Sequence, residues 1–178
     1  MLQSLAVYGK MVLVINMSLP KRKPTRLKDY DYSQNGYYFV TICSHNKKCI
    51  FSNIVGGGAL DAPQNKLTKY GKIVEKYILS TNNIPEIVVD KYVIMPNHIH
   101  LILIVENGTS KAPSPTNNAI SHAVSTMKRF VNKEVGQNVF QRSFHDHIIR
   151  GEQDYLKIWN YIDTNPHKWS EDCFYTAD

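Results

Sequence analysis

Two histidines one residue apart, His98 and His100, stand at the head of an apolar run that continues through Leu101-Ile102-Leu103-Ile104-Val105. Alternate side chains of a strand share a face, so both imidazoles leave the same side from neighbouring pleats, close enough to share one cation. Many histidines near strand ends are hydrogen-bonded structural residues, so the pair alone is half a metal site. A second reactive pairing lies downstream: Tyr161 and Asn165 are four residues apart, which on a helix puts a hydroxyl and an amide one turn apart on one flank. His145 and His147 form another same-face pair with Asp146 opposite, but no apolar run flanks them, which suits an exposed edge.

The elements that must position these groups are legible in the patterning. Pro96 and Asn97 cannot easily sit inside a central ladder, because proline lacks the donor, and they predict a tight turn between antiparallel strands. Residues 86–94 form the strand before that turn, and the histidines open the one after it. Ile99, Leu101, Leu103 and Val105 fill one face while Ile102 and Ile104 continue the histidine face, so this strand is covered on both sides. The β-branched and aromatic stretch 37–43 is a first strand, and 49–51 a short added one. Leu67, Tyr70, Val74, Tyr77 and Ile78 recur at helical steps and predict a helix over 68–80. A second helix carries Ile120, Val124, Met127, Val131 and Val135 on one stripe, with Lys128, Arg129 and Lys133 off it. Residues 140–150 read as loop and fourth strand. A last helix over 152–164 is stopped by Pro166, with Tyr155, Ile158, Trp159 and Ile162 as its buried face. The order is β-α-β-β-α-β plus one helix, an α+β ferredoxin-like sandwich on an antiparallel sheet. That plan hosts many functions and settles none.

The chain has 178 residues, enough for one domain with a real core. Its three cysteines, Cys43, Cys49 and Cys173, are odd in number and form no Cys-x-x-Cys pair, which argues against a disulfide framework or zinc ribbon and fits a reducing cytoplasm. A net charge of +6 favours a polyanionic partner such as nucleic acid. Residues 1–20 read as a disordered or upstream extension, since the run Met11-Val12-Leu13-Val14-Ile15 is too short to span a bilayer and lacks a cleavage site. Residues 21–178 read as a single domain. The basic arm at its start, Lys21-Arg22-Lys23-Pro24-Thr25-Arg26, can neutralise phosphates or stand as a solvated tail. Gly56-Gly57-Gly58 lacks the spacing of a nucleotide loop, and 106–118 has the composition of a mobile surface loop.

Met95-Pro96-Asn97-His98-Ile99-His100 with a downstream Tyr161-Ile162-Asp163-Thr164-Asn165-Pro166 resembles the single-tyrosine HUH (IS200-like) transposases, and within them the REP-associated tyrosine transposases. Supporting matches are Arg26-Leu27-Lys28-Asp29-Tyr30-Asp31-Tyr32, Tyr38-Phe39-Val40-Thr41-Ile42, Phe140-Gln141-Arg142-Ser143-Phe144 and Asp146-His147-Ile148-Ile149-Arg150, so the likeness spans roughly residues 21–169.

The resemblance implies a single-stranded DNA endonuclease and strand transferase acting on hairpin-bearing DNA through a covalent 5′-phosphotyrosine. Carried over residue by residue, Tyr161 is the nucleophile, on the appended helix. His98, His100 and Asn165 hold a divalent metal, Mg2+ or Mn2+, and His147 is a possible helper. Asn165 stands before a proline, a position biased away from helical geometry. Lys21, Arg22, Lys23, Arg26, Lys128, Arg129 and Arg142 are candidates for phosphate contacts, which position without specifying sequence. The chain acts as monomer or homodimer, without a membrane partner. Two other readings stay open on the residues alone: a non-catalytic nucleic-acid binder on the same scaffold, and a metal-dependent phosphoesterase using water.

Overall fold

Branched apolar side chains dominate the run His98–Val105, and it folds as a strand buried at seven of its eight positions, as a segment apolar on both faces should. The computed structural model describes residues 5–8, 11–14, 34–56, 62–106 and 119–175. The basic arm with Lys21, Arg22, Lys23 and Arg26, the 29–32 motif, Gly57, Gly58 and loop positions 107–118 lie outside the described residues.

In chain order the elements are β1 (Leu5–Tyr8), β2 (Met11–Val14), β3 (Gly36–Cys43), β4 (Ser52–Val55), β5 (Gln64–Leu67) and α1 (Lys69–Ser80). They continue with β6 (Ile87–Ile94), β7 (His98–Val105), α2 (Ala119–Val135), β8 (His145–Ile149) and α3 (Glu152–Thr164), followed by a 3-10 segment Asn165–Glu171. The central sheet has the order β6-β7-β3-β8 with every neighbour antiparallel. The second, third, first and fourth strands of the β-α-β-β-α-β plan thus lie side by side, which is the ferredoxin-like arrangement. Among the described residues no helix is long and apolar enough to cross a membrane.

The two faces of the sheet are covered differently. Tyr38, Val40, Ile42, Ile99, Leu101 and Leu103 point to the side carrying α1 and α2, whose Val74, Ile78, Val124, Met127 and Val131 complete the larger core. On the other side α3 lays Ile158 and Ile162 against Ile102 and Ile149, with Phe39, Val93 and Tyr155 around them. Each such aliphatic side chain removed from water contributes about 1.5–3 kcal/mol, so a few residues suffice to seat α3 across the histidine side of the sheet. A bulge at Asp90 shifts the β6 register between Val89 and Lys91, and Asp90 accepts a hydrogen bond from the Tyr155 hydroxyl at 2.8 Å. That bond ties the first turns of α3 to the sheet edge.

Three expectations need correction. Trp159, expected on the buried face of α3, is 40% exposed, because Ile158 and Ile162 meet the sheet and leave the indole on the flank under the Lys91 amine, 3.0 Å from its ring. Residues 49–51 do not form the added strand; β4 and β5 do, as a hairpin inserted between β3 and α1. Phe51 is instead buried in the core, its amide bonded to the Pro96 carbonyl at 2.9 Å and its carbonyl accepting from the Thr68 amide. The polar composition of Gln64-Asn65-Lys66-Leu67 carries little strand signal, so pairing with β4 decided it. Lys128, placed with the solvated charges of α2, is buried: its amine donates to the carbonyls of Gln141 at 2.9 Å and Ser143 at 3.0 Å. Those carbonyls belong to the loop before β8, and a long lysine stem reaches them across the helix border.

Candidate active site

The turn before β7 closes with the Met95 amide donating to the His98 carbonyl at 2.8 Å, and it delivers both histidines onto the sheet opposite β3. His98 pairs with Cys43 and His100 with Thr41, so the two rings project to the α3 side, 4.5 Å apart between centroids. Each ring is held through Nδ1. His98 Nδ1 lies 2.9 Å from Asn97 Oδ1, and His100 Nδ1 lies 2.9 Å from Thr41 Oγ1.

Asn97 decides the tautomer of His98. Its Nδ2 donates to the Phe174 carbonyl at 2.7 Å, so its oxygen must face the imidazole. An amide oxygen can only accept; His98 Nδ1 is therefore the protonated nitrogen, and Nε2 carries the lone pair. That Nε2 is buried and has no hydrogen-bond partner among the described residues. A metal-binding histidine is oriented in this way, by a partner on the nitrogen that does not bind.

Tyr161 and Asn165 arrive from the other side. Packing of Ile158 and Ile162 orients α3 so that the Tyr161 hydroxyl stands 3.3 Å from His100 Nε2 and donates to Asp172 Oδ2 at 3.1 Å. The histidines are 0% and 1% exposed and Tyr161 38%, so the phenol sits at the rim of a covered pair. Asn165 keeps right-handed helical backbone (φ −55°, ψ −43°) in spite of Pro166. Its amide stays in the site, donating to Asp172 Oδ2 at 2.8 Å, and its buried Oδ1 has no partner among the described residues.

Asp172 was not singled out in the sequence. Its carboxylate, fixed by the Phe174 amide on Oδ1 at 2.7 Å, joins His98 and His100 in a cluster whose ligand atoms all lie within 4.8 Å of one another. No periodicity marks it, because it follows the 3-10 segment in an irregular stretch. Asn97 was read only as a turn residue. Lys47, with its amine 5.4 Å from the Phe174 ring and its charge lowering the His98 pKa, is a further cation beside the site that no motif announced.

Electrostatics follow from burial. Desolvation pushes His98 down to about 4, with Asp172 pulling the other way, and holds His100 well below its ordinary value, helped by His98. Both imidazoles are neutral at physiological pH and able to offer a lone pair. Burial, then the Asp172 charge, raise Tyr161 well above the usual phenol range, so it keeps its proton as a hydrogen-bond donor. Two imidazole nitrogens and a carboxylate form a donor set that fits a divalent first-row metal.

The remaining candidates are scattered. His147 is exposed and bonded to Asp154 at 2.9 Å, at the start of α3. Arg129 is exposed on α2, on the far side of the sheet from the histidines, its guanidinium over the Phe130 ring. Arg142 is exposed ahead of β8.

No protein-family model matches the chain. It is 34% identical to an uncharacterized protein of Haemophilus influenzae, over 90% of this chain and 96% of that one, and belongs to the same family. Among solved structures it is similar to a REP-associated tyrosine transposase bound to a REP hairpin, with a TM-score of 0.55 and 20% identity over 86% of this chain and 74% of the other. The fold is shared with that protein.

Proposed function

From a chain that shares the fold of a REP-associated tyrosine transposase, we propose a single-stranded DNA endonuclease and strand transferase that forms a 5′-phosphotyrosine on hairpin-bearing DNA. The observation that carries this reading is the meeting of three elements at one point: the Tyr161 hydroxyl from α3, the paired histidines from β7 and the Asp172 carboxylate.

Phosphodiesters resist attack because their own negative charge repels nucleophiles. His98 Nε2, His100 Nε2 and Asp172 would hold a divalent ion, Mg2+ or Mn2+, with Asn165 as a further oxygen donor; the nitrogen-rich set would favour Mn2+. When bound, the ion supplies positive charge at a non-bridging phosphate oxygen and orients the group for in-line displacement.

Tyr161 then does the covalent work. A phenol is a weak nucleophile until its proton leaves, and Asp172 Oδ2, already accepting that proton's hydrogen bond, is its acceptor. The new bond joins the phenol oxygen to phosphorus while the bond to the 3′ oxygen breaks, and the departing oxygen takes up a proton as a 3′ hydroxyl. The energy of the diester persists in the phosphotyrosine, so a 3′ hydroxyl can later attack it and rejoin the strand. Asn165 and Asp172 brace one another through their 2.8 Å bond and keep the acceptor in place. The exposed Arg142 and the arm residues Lys21, Arg22, Lys23 and Arg26 would contact phosphates along the substrate, whereas Arg129, on the far side of the sheet, stands away from it.

Incubation of the protein with a hairpin oligonucleotide and Mn2+ should give a covalent protein–DNA band that Tyr161→Phe abolishes without loss of binding. Cleavage without a trapped protein, persisting in Tyr161→Phe, would point to activated water instead. Binding with neither product would leave a non-catalytic binder.

A further inference from the structure

Beside the histidine pair lies a cavity of about 550 Å³ that the chemistry above does not use. One wall is the inserted β4–β5 hairpin, through Ser52 and Asn53; the opposite wall is the segment after α3, through Trp169, Ser170 and Tyr175, with Pro96 between them. We infer that this cavity binds one unstacked nucleobase of the DNA strand, next to the phosphate that Tyr161 attacks, an inference that rests on the reading above.

Size, lining and place agree. Cavities that take small molecules run about 300–1,000 Å³, ample for a base and its sugar. Among the described residues the lining includes no lysine, arginine, aspartate or glutamate, so it suits the face and edge of a base better than a phosphate. Trp169 offers an indole for stacking, steadied by an edge contact with Tyr175 at 5.3 Å. The location ties the cavity to the cut. The Trp169 ring lies 6.0 Å from the His98 ring and Pro96 stands two residues before it, so a base on Trp169 keeps its own backbone at the histidines.

The test needs no cleavage. The fluorescent base 2-aminopurine is placed in turn at each nucleotide flanking the stem of a hairpin oligonucleotide, and each oligonucleotide is bound to the full-length Tyr161→Phe chain. One position should change its emission on binding well beyond the rest. Trp169→Leu should erase that difference and weaken binding of that oligonucleotide about tenfold, while an abasic residue at the position removes the Trp169 dependence. An emission profile that Trp169→Leu leaves unchanged, equal affinity of Trp169→Leu for that oligonucleotide, or no binding of any oligonucleotide would each overturn the inference. A position-specific signal in a protein whose wild-type form yields no covalent adduct would sink the tyrosine chemistry and leave the pocket standing. An adduct with a flat profile would do the reverse.

Discussion

Asn97→Ala should separate the fold of the histidine turn from its capacity to hold a metal. The wild-type amide makes two bonds in a buried place, its oxygen 2.9 Å from His98 Nδ1 and its nitrogen 2.7 Å from the Phe174 carbonyl. Alanine leaves the His98 Nδ1 proton without an acceptor inside the core, which costs about 1–3 kcal/mol of stability. Imidazole can relieve that cost by moving its proton to Nε2, the nitrogen that must be bare to bind an ion. Losing such an orienting partner typically weakens metal affinity about 10–100-fold, or about 1.4–2.7 kcal/mol. The Phe174 carbonyl is also released, and with it one anchor of the Asp172 segment, so the loss should fall at the upper end of that range. Calorimetric titration with Mn2+ beside urea unfolding reads both quantities. Asn97→Asp retains an acceptor for His98 Nδ1 and should recover much of the affinity. A folded Asn97→Ala protein with Mn2+ affinity within about twofold of wild type would refute the tautomer argument.

Acid should destabilise the fold before carboxylates titrate. His98 is neutral in the folded protein down to about pH 4 but binds a proton below about 6.5 when unfolded. The unfolded state therefore holds more protons between those values, and this stability, roughly 3 kcal/mol in full, is present above pH 6.5 and lost as pH falls toward 4. His100 moves in the same direction; urea midpoints that do not decline between pH 7 and 5 would contradict it. Lys128→Met should cost about 2–3 kcal/mol by leaving the Gln141 and Ser143 carbonyls without their donor, yet leave the salt dependence of DNA binding unchanged, whereas Arg142→Ala should reduce that slope by about 1. Gly71→Ala should destabilise by about 3 kcal/mol, measured by thermal unfolding, because a Cβ there would lie 2.0 Å from the Phe51 carbonyl oxygen and force α1 off the β3–β4 connection.

Periodicity in the chain was sufficient for the frame. The alternation of 98–105, the turn at Pro96-Asn97 and the helical stripes of α1, α2 and α3 depend on neighbours in sequence, and each element formed within a residue or two of its expected place. The same-face placement of His98 and His100 needed only the strand period, and the Tyr161–Asn165 spacing only the helix period. The polar hairpin of β4 and β5 was hidden, because Gln64-Asn65-Lys66-Leu67 becomes a strand by pairing and not by propensity. Lys128 read as a surface charge because its stripe position says nothing about a loop arriving from 141–143. Asp172 lay outside any pattern: it enters the site because the chain after α3 folds back over His98, where Asn97 grips the Phe174 carbonyl. Local spacing, then, determined which residues face together within one element. Which carboxylate meets which imidazole across elements is a matter of long-range packing, and no repeat along the chain encodes it.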